Sequence, residues 1–234
     1  MIALNVRTPS LIETEPEVAP PLALPDRIYA TLKHRILTCS MLPGQRIVEK
    51  ELCQEMHVSR TPLREAFNRL TLEGLIVLSP YRGFAVAPVT VRDYKELCEL
   101  RRIVEGGAAA LAAERAGAED VDQLSGQAET RYKKGDKKTY EGYLRANSRF
   151  HLALVRSTGN LQLESIVMSA LDHHQRPLYL GLDVGLNAQA STAEHYEIVE
   201  AIRGRDAARA RDLMVKHISK AEDRIVTALR AAGY

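Results

Sequence analysis

Three histidines, an asparagine and a pair of arginines are the residues whose type and spacing suit chemistry. Asn147 and His151 are four residues apart, which on a helix places them one turn apart on the same face. His195 and His217 follow on separate stretches, 22 residues from each other. Imidazole nitrogens with one oxygen donor suit zinc, nickel or a similar divalent ion. Spacing does not show that three helices converge, and a lone helical histidine is more often packed or surface-exposed than a ligand. The second group has different chemistry. Arg60 and Arg64 are four apart, and a guanidinium can donate two parallel bonds to guanine O6 and N7 in the major groove. Their alternative is a solvated helix end with Arg64 beside Glu65.

Helices must carry these side chains, and the apolar pattern supplies them. Ile28, Leu32, Ile36 and Leu37 predict an amphipathic helix over 26–38, broken by Leu42-Pro43-Gly44. A short helix follows at 49–56, then a turn at His57-Val58-Ser59. A third helix, over 60–73, buries Leu63, Phe67 and Leu70, with Ser59 or Thr61 as cap and Pro62 tolerated in its first turn. Arg60 and Arg64 thus open the second helix of a helix-turn-helix, where base edges are met. Two β-rich runs, 75–78 and 84–89, flank turn chemistry at 79–83. Three helices and a two-stranded hairpin make a winged helix-turn-helix over 25–88.

Everything beyond reads as helix. Tyr94, Leu97, Leu100, Arg101, Val104, Ala108 and Leu111 trace one face of a long helix ending near Gly117. Further helices are expected at 119–134, 137–157, 161–182, 192–203 and 207–231. Six helices with short connections predict an antiparallel bundle over 89–234. The fold class is therefore mainly α, a winged helix-turn-helix followed by a six-helix bundle. Residues 1–24, with four prolines and no sustained period, read as a disordered leader.

Composition narrows the function classes. Residues 25–88 hold nine Lys/Arg against six Asp/Glu, an excess of three, in a chain whose net charge is only +2. The longest small-apolar run, from Gly106 to Ala113, is far short of the about 20 residues of a membrane span. Three cysteines without a Cys-x-x-Cys pair fit a reducing cytoplasm. The Glu-x-x-His pairs of di-iron oxidases and the His-Glu-x-x-His and Gly-x-Ser-x-Gly signatures of hydrolases are absent, which argues against an enzyme.

The stretch 28–89 resembles the DNA-binding domain of the GntR family of bacterial regulators. The resemblance rests on Leu42-Pro43-Gly44, Glu51-Leu52, the run from Val58 to Ala66, Leu70, Glu73-Gly74-Leu75 and Arg82-Gly83. It implies a homodimer on near-palindromic double-stranded operator DNA. Arg60 and Arg64 would contact bases, Ser59 and Thr61 phosphates, and Gly83, with Arg82 beside it on the wing, would approach the minor groove. Lys50 stands where the family often has Arg; lacking the planar fork, it is assigned phosphate contact. The second half is similar to the FCD ligand-binding domain, through the run 100–106, Asn147-Ser148-Arg149-Phe150-His151, Ser157-Thr158-Gly159-Asn160, the run 194–202 and Met214-Val215-Lys216-His217. This points to the FadR-like branch and its shorter VanR-type group. The resemblance implies a divalent metal held by Asn147, His151, His195 and His217, where the first ligand is frequently Asp, with occupancy lost as pH falls through about 6.5. Arg101 matches a pocket-facing position that would grip a small organic acid effector; its other reading is an intrahelical pair with Glu105. The function so implied is a ligand-responsive transcriptional regulator, a repressor released by a small organic acid. The alternatives are an activator or a DNA-binding protein blind to metal and ligand.

Overall fold

A computed structural model describes residues 23–79, 83–184 and 188–234. The expected leader lies outside the described residues except at its end, where Leu24 already begins a helix. Helix α1 (Leu24–Leu37) starts on Pro25, whose missing N–H falls among the unpaired donors of a first turn. It buries Ile28, Tyr29, Leu32 and Ile36 against Leu63, Ala66, Phe67 and Leu70 of α3 (Arg60–Leu72). Helix α2 (Glu49–Met56) ends at His57, whose φ of 53° turns the chain into α3. Ser59 occupies the N-cap of α3 without a side-chain capping bond, and Thr61 lies inside the helix, so neither expected cap forms.

The wing is an antiparallel pair, β1 (Ile76–Ser79) with β2 (Gly83–Val86), in the register Ile76↔Val86 to Ser79↔Gly83. The strand expected to reach residue 89 stops at Val86, and Pro88, which has no ladder donor, follows closely. Gly83 has φ +77°, a conformation that glycine adopts without strain.

The other helices are α4 (Val91–Arg115), α5 (Ala118–Gln127), α6 (Lys137–Arg156), α7 (Leu161–Val184), α8 (Ala188–Arg203) and α9 (Ala207–Ala231). Helix α4 lies along α9 so closely that a Cβ on Gly106 would come within 2.9 Å of Val215 Cγ2. Two differences from the sequence pattern matter. Helix α4 is rotated: Cys98, Arg101, Glu105, Ala108, Ala109 and Ala112 face inward, while Leu100 is 42 % exposed. The close approach to α9 needs small side chains on that face. Helix α5 stops at Gln127, not near residue 134. Residues beyond it are used otherwise: Thr130 N–H donates to Thr192 Oγ1 at 3.1 Å, and the Ala128 carbonyl meets a histidine of α8.

Two apolar clusters result, one within residues 28–86 and one mostly within 89–229. They meet where α1 touches α7. There Lys33, almost wholly buried, lies 2.6 Å from Asp172 Oδ2 and 3.0 Å from Glu73 Oε2, and donates to the Tyr29 hydroxyl at 3.1 Å. Burial disfavours the Lys33 charge, but Asp172 and then Glu73 outweigh it and push its pKa above the ordinary value. Removing one member of a buried pair leaves the other charge uncompensated. Lys33→Met should therefore destabilise the protein by about 3–5 kcal/mol in chemical denaturation, and Lys33→Met/Asp172→Leu should recover much of that loss. A single variant as stable as wild type would show that the contact is not a buried ion pair in solution.

Candidate functional site

Lys50, Ser59, Arg60, Thr61 and Arg64 are all exposed, spread over the start of α2 and the first turns of α3, and Gly83 is exposed on the wing. Arg82 lies outside the described residues. Arg64 is 61 % exposed and holds Glu49 with two bonds, Nε–Oε2 at 2.9 Å and Nη2–Oε1 at 3.3 Å. The surface partner expected from sequence was Glu65; the observed one is on α2. Glu49 thus joins the two helices of the turn and orients the guanidinium before any ligand arrives.

The second site is inside the bundle. His151 on α6, His195 midway along α8 and His217 on α9 are buried, and a nitrogen from each lies within 4.8 Å of the others. Each ring is fixed through Nδ1. His151 Nδ1 lies 2.6 Å from Glu105 Oε2, a contact close enough for an ion pair but not aligned as a hydrogen bond. His217 Nδ1 is 2.8 Å from Glu194 Oε2, and His195 Nδ1 is 3.1 Å from the Ala128 carbonyl. Phe150 stacks on His195 at 3.9 Å between ring centres. A carboxylate or carbonyl on Nδ1 selects the tautomer whose Nε2 lone pair is free, the arrangement that metal-binding histidines share. The Nε2 atoms of His151 and His195 and the Nδ2 of Asn147 are buried without a protein partner. Buried polar atoms are rarely left so. Which end of the Asn147 amide is oxygen is a matter of assignment, and with the oxygen at the orphaned position the donor set is three imidazoles and one oxygen. That set fits a divalent ion.

Electrostatics favour the same state. Burial, and then the neighbouring His217, hold His195 well below the ordinary imidazole value. Burial pushes His217 down to about 4, against the opposing pull of Glu194. Burial alone would raise Glu105, but Arg101 and then His151 hold it below the usual carboxylate range. Arg101 makes the intrahelical pair, its Nε 2.6 Å from Glu105 Oε1, and it also lines the cavity beside Asn147, His151 and His217. That cavity is ≈ 20 Å³, room for one ion or one water and too small for a multi-carbon acid.

Three participants escaped the sequence pattern. Glu105 was visible only as a helix partner of Arg101. Glu194, next to His195, reaches His217, Lys220 at 3.2 Å and Arg224 at 3.2 Å. The spacing of His217, Lys220 and Arg224 at i, i+3 and i+7 on α9 is a signal for it. His174 lines the cavity from α7, with burial and then the Arg101 charge keeping it well below the ordinary value; nothing in its local sequence marks it.

Residues 24–86 match the family described as "Bacterial regulatory proteins, gntR family", and residues 96–220 match the FCD domain. The galactonate operon transcriptional repressor of Escherichia coli is 30% identical over 224 residues, covering 86% of this chain and 96% of that protein. The Nta operon transcriptional regulator of Aminobacter aminovorans is 30% identical over 190 residues, covering 81% and 89%. The solved structure of E. coli McbR/YncC superposes with a TM-score of 0.70 at 22% identity, over 88% of this chain and 98% of that one, which speaks for the fold alone. No helix among the described residues is long and apolar enough to cross a membrane. The chain therefore belongs to the GntR family of bacterial regulatory proteins, with a C-terminal FCD domain, and is a transcriptional regulator and not an enzyme.

Proposed function

We propose that this regulator represses transcription as a cytoplasmic homodimer on operator DNA and is released by a small organic acid acting at a divalent metal centre. Residues 25–88 would bind DNA and residues 89–234 would dimerise and bind effector. The observation that carries the reading is the set of three histidines fixed through Nδ1, with the Nε2 atoms of His151 and His195 buried and unpartnered. Two relatives regulate operons, one of them as a repressor of a sugar-acid operon, which supports repression and an acidic effector.

Asn147, His151, His195 and His217 would hold the ion. When bound, it would supply a Lewis acid for one effector oxygen. Arg101 would supply the second grip on a carboxylate, its charge already oriented by Glu105. Because the cavity takes only an ion or a water, an effector must spread its walls, among them His174 and Leu178 of α7 and Arg224 and Ile225 of α9. Binding that requires such spreading couples occupancy to helix position. At the DNA face, Arg60 and Arg64 would read bases, Lys50, Ser59 and Thr61 would meet phosphate, and Arg82 and Gly83 would place the wing.

Protein purified without a His-tag should carry about one divalent ion per chain by elemental analysis, and His217→Ala should lose it while still binding operator. Asn147→Asp should tighten the ion by adding a charge. The low imidazole values revise the expected pH dependence. At His217, protons should compete with metal only as pH approaches about 4, below the ordinary imidazole value. The unfolded chain protonates these rings near 6.5, so metal-free protein should be fully stable above that value and lose stability as pH falls from about 6.5 toward 4. A site that stays empty with added zinc, nickel and manganese overturns the metal reading.

For the DNA face, Arg64→Ala should weaken the operator, selected from random DNA, about tenfold to a hundredfold and relax preference at one base pair per half-site. Lys50→Ala should weaken all sequences alike and reduce the salt slope by about one. Unchanged affinity and preference for Arg64→Ala, read by fluorescence anisotropy, would sink the assigned docking.

A further inference from the structure

A second cavity lies apart from the histidine centre, where the chain passes from the wing into α4. It is ≈ 320 Å³ and is walled by Val89, Tyr94, Leu97, Leu100, Arg176 and Pro177. Thr90, Asp93, Glu96 and His173 complete the wall beside these apolar groups, and Arg176 is its buried cation. That side chain projects from α7, is only 5 % exposed, and donates from Nη1 to the Ala87 carbonyl at 2.6 Å. Its Nε is buried with no partner. Among the described residues no carboxylate lies within ion-pair distance of it.

One neutral carbonyl does not compensate a buried guanidinium, and such a charge is rarely kept without an anion. The two acids on the cavity wall do not pair with it, although the Asp93 charge acts on it from a longer distance. Asp93 and Glu96 are exposed at the mouth, and Glu96 is held by Arg92 at 2.9 Å. The ordinary structural role, a tether from α7 to the segment after the wing, accounts for Nη1 but leaves Nε and the charge unexplained.

We propose that this junction cavity is a second small-molecule site, which takes an organic monocarboxylate with an apolar body, its carboxylate on Arg176. The planar guanidinium fork matches a carboxylate, and the aliphatic and aromatic walls match the body. A dry cavity of 150 Å³ accommodates benzene, so this one suits a body of about ten heavy atoms. The site is distinct from the metal centre and does not depend on it. Because Arg176 also holds the Ala87 carbonyl, an occupant would bear directly on the connection between the wing and the bundle.

The test uses the full chain and 3-phenylpropanoate as probe, followed by calorimetry, with 3-phenylpropanamide as its neutral counterpart. Wild type should bind the acid at least about tenfold more tightly than the amide, the preference expected of a charge-assisted bond. Arg176→Gln should erase that preference. His217→Ala should bind the acid with unchanged affinity, because a carboxylate bound at the histidine centre would be lost with that residue. Should Arg176→Gln fail to fold, Leu97→Trp combined with His217→Ala decides, since it fills the cavity, leaves the guanidinium in place and removes the histidine centre as a second site: it should abolish binding. The proposal is overturned by no binding to wild type at millimolar probe, by equal affinity for acid and amide, by binding that survives Leu97→Trp/His217→Ala, or by binding that His217→Ala alone removes.

Discussion

Glu105 places a carboxylate in the middle of a helical bundle, between the Arg101 guanidinium on its own helix and the His151 imidazole on α6, each 2.6 Å away. A buried charge is tolerated only when it is paired, and here one anion serves two partners. Arg101 is held in the wall of the cavity, and His151 is held with its other nitrogen inward. The rotation of α4 follows from the same requirement. With Arg101 and Glu105 turned inward, Leu100 and Ile103 must turn out, although both are apolar. Small residues then occupy the rest of the inward face, which is what allows α9, and with it His217, to come close.

The other two rings are oriented by unrelated means that reach the same end. A backbone carbonyl exposed by the early end of α5 fixes His195, and Glu194 fixes His217. Glu194 is itself shared with Arg224 and Lys220, and the bonds and charges of His217 and then Arg224 bring it down to about 2 in spite of burial. The result is a buried polar centre in which all three rings are oriented through Nδ1, with Leu178 and Ile225 among the walls of its cavity.

Helix α7 links this centre to the DNA-binding half through consecutive turns. Asp172 pairs with Lys33 of α1, His173 lies against Gly74, His174 faces the histidine cavity, and Arg176 binds the Ala87 carbonyl. Pro177 lies inside the helix just beyond and removes one donor from its ladder. Contacts to both halves of the protein thus sit within residues 172–176 of one helix.

What the sequence determined by itself was whatever depends on neighbours along the chain. The apolar period and the turn residues set α2 at Glu49–Met56 and α9 at Ala207–Ala231 with the bounds expected, and the run from Val58 to Ala66 marked the recognition helix. Helix period, Pro-Gly breaks and motif spacing are all local, so they survive in a one-dimensional reading. The histidines were visible as candidates for the same reason. What only the tertiary structure decided was which face of α4 is inner, where α5 ends, and which groups hold the rings. Those outcomes are settled by contacts such as Glu105 with His151 and Glu194 with His217, between residues 46 and 23 positions apart. A buried charge has no local signature: its position is stable only because a partner from another helix arrives beside it, and that arrival is a property of packing.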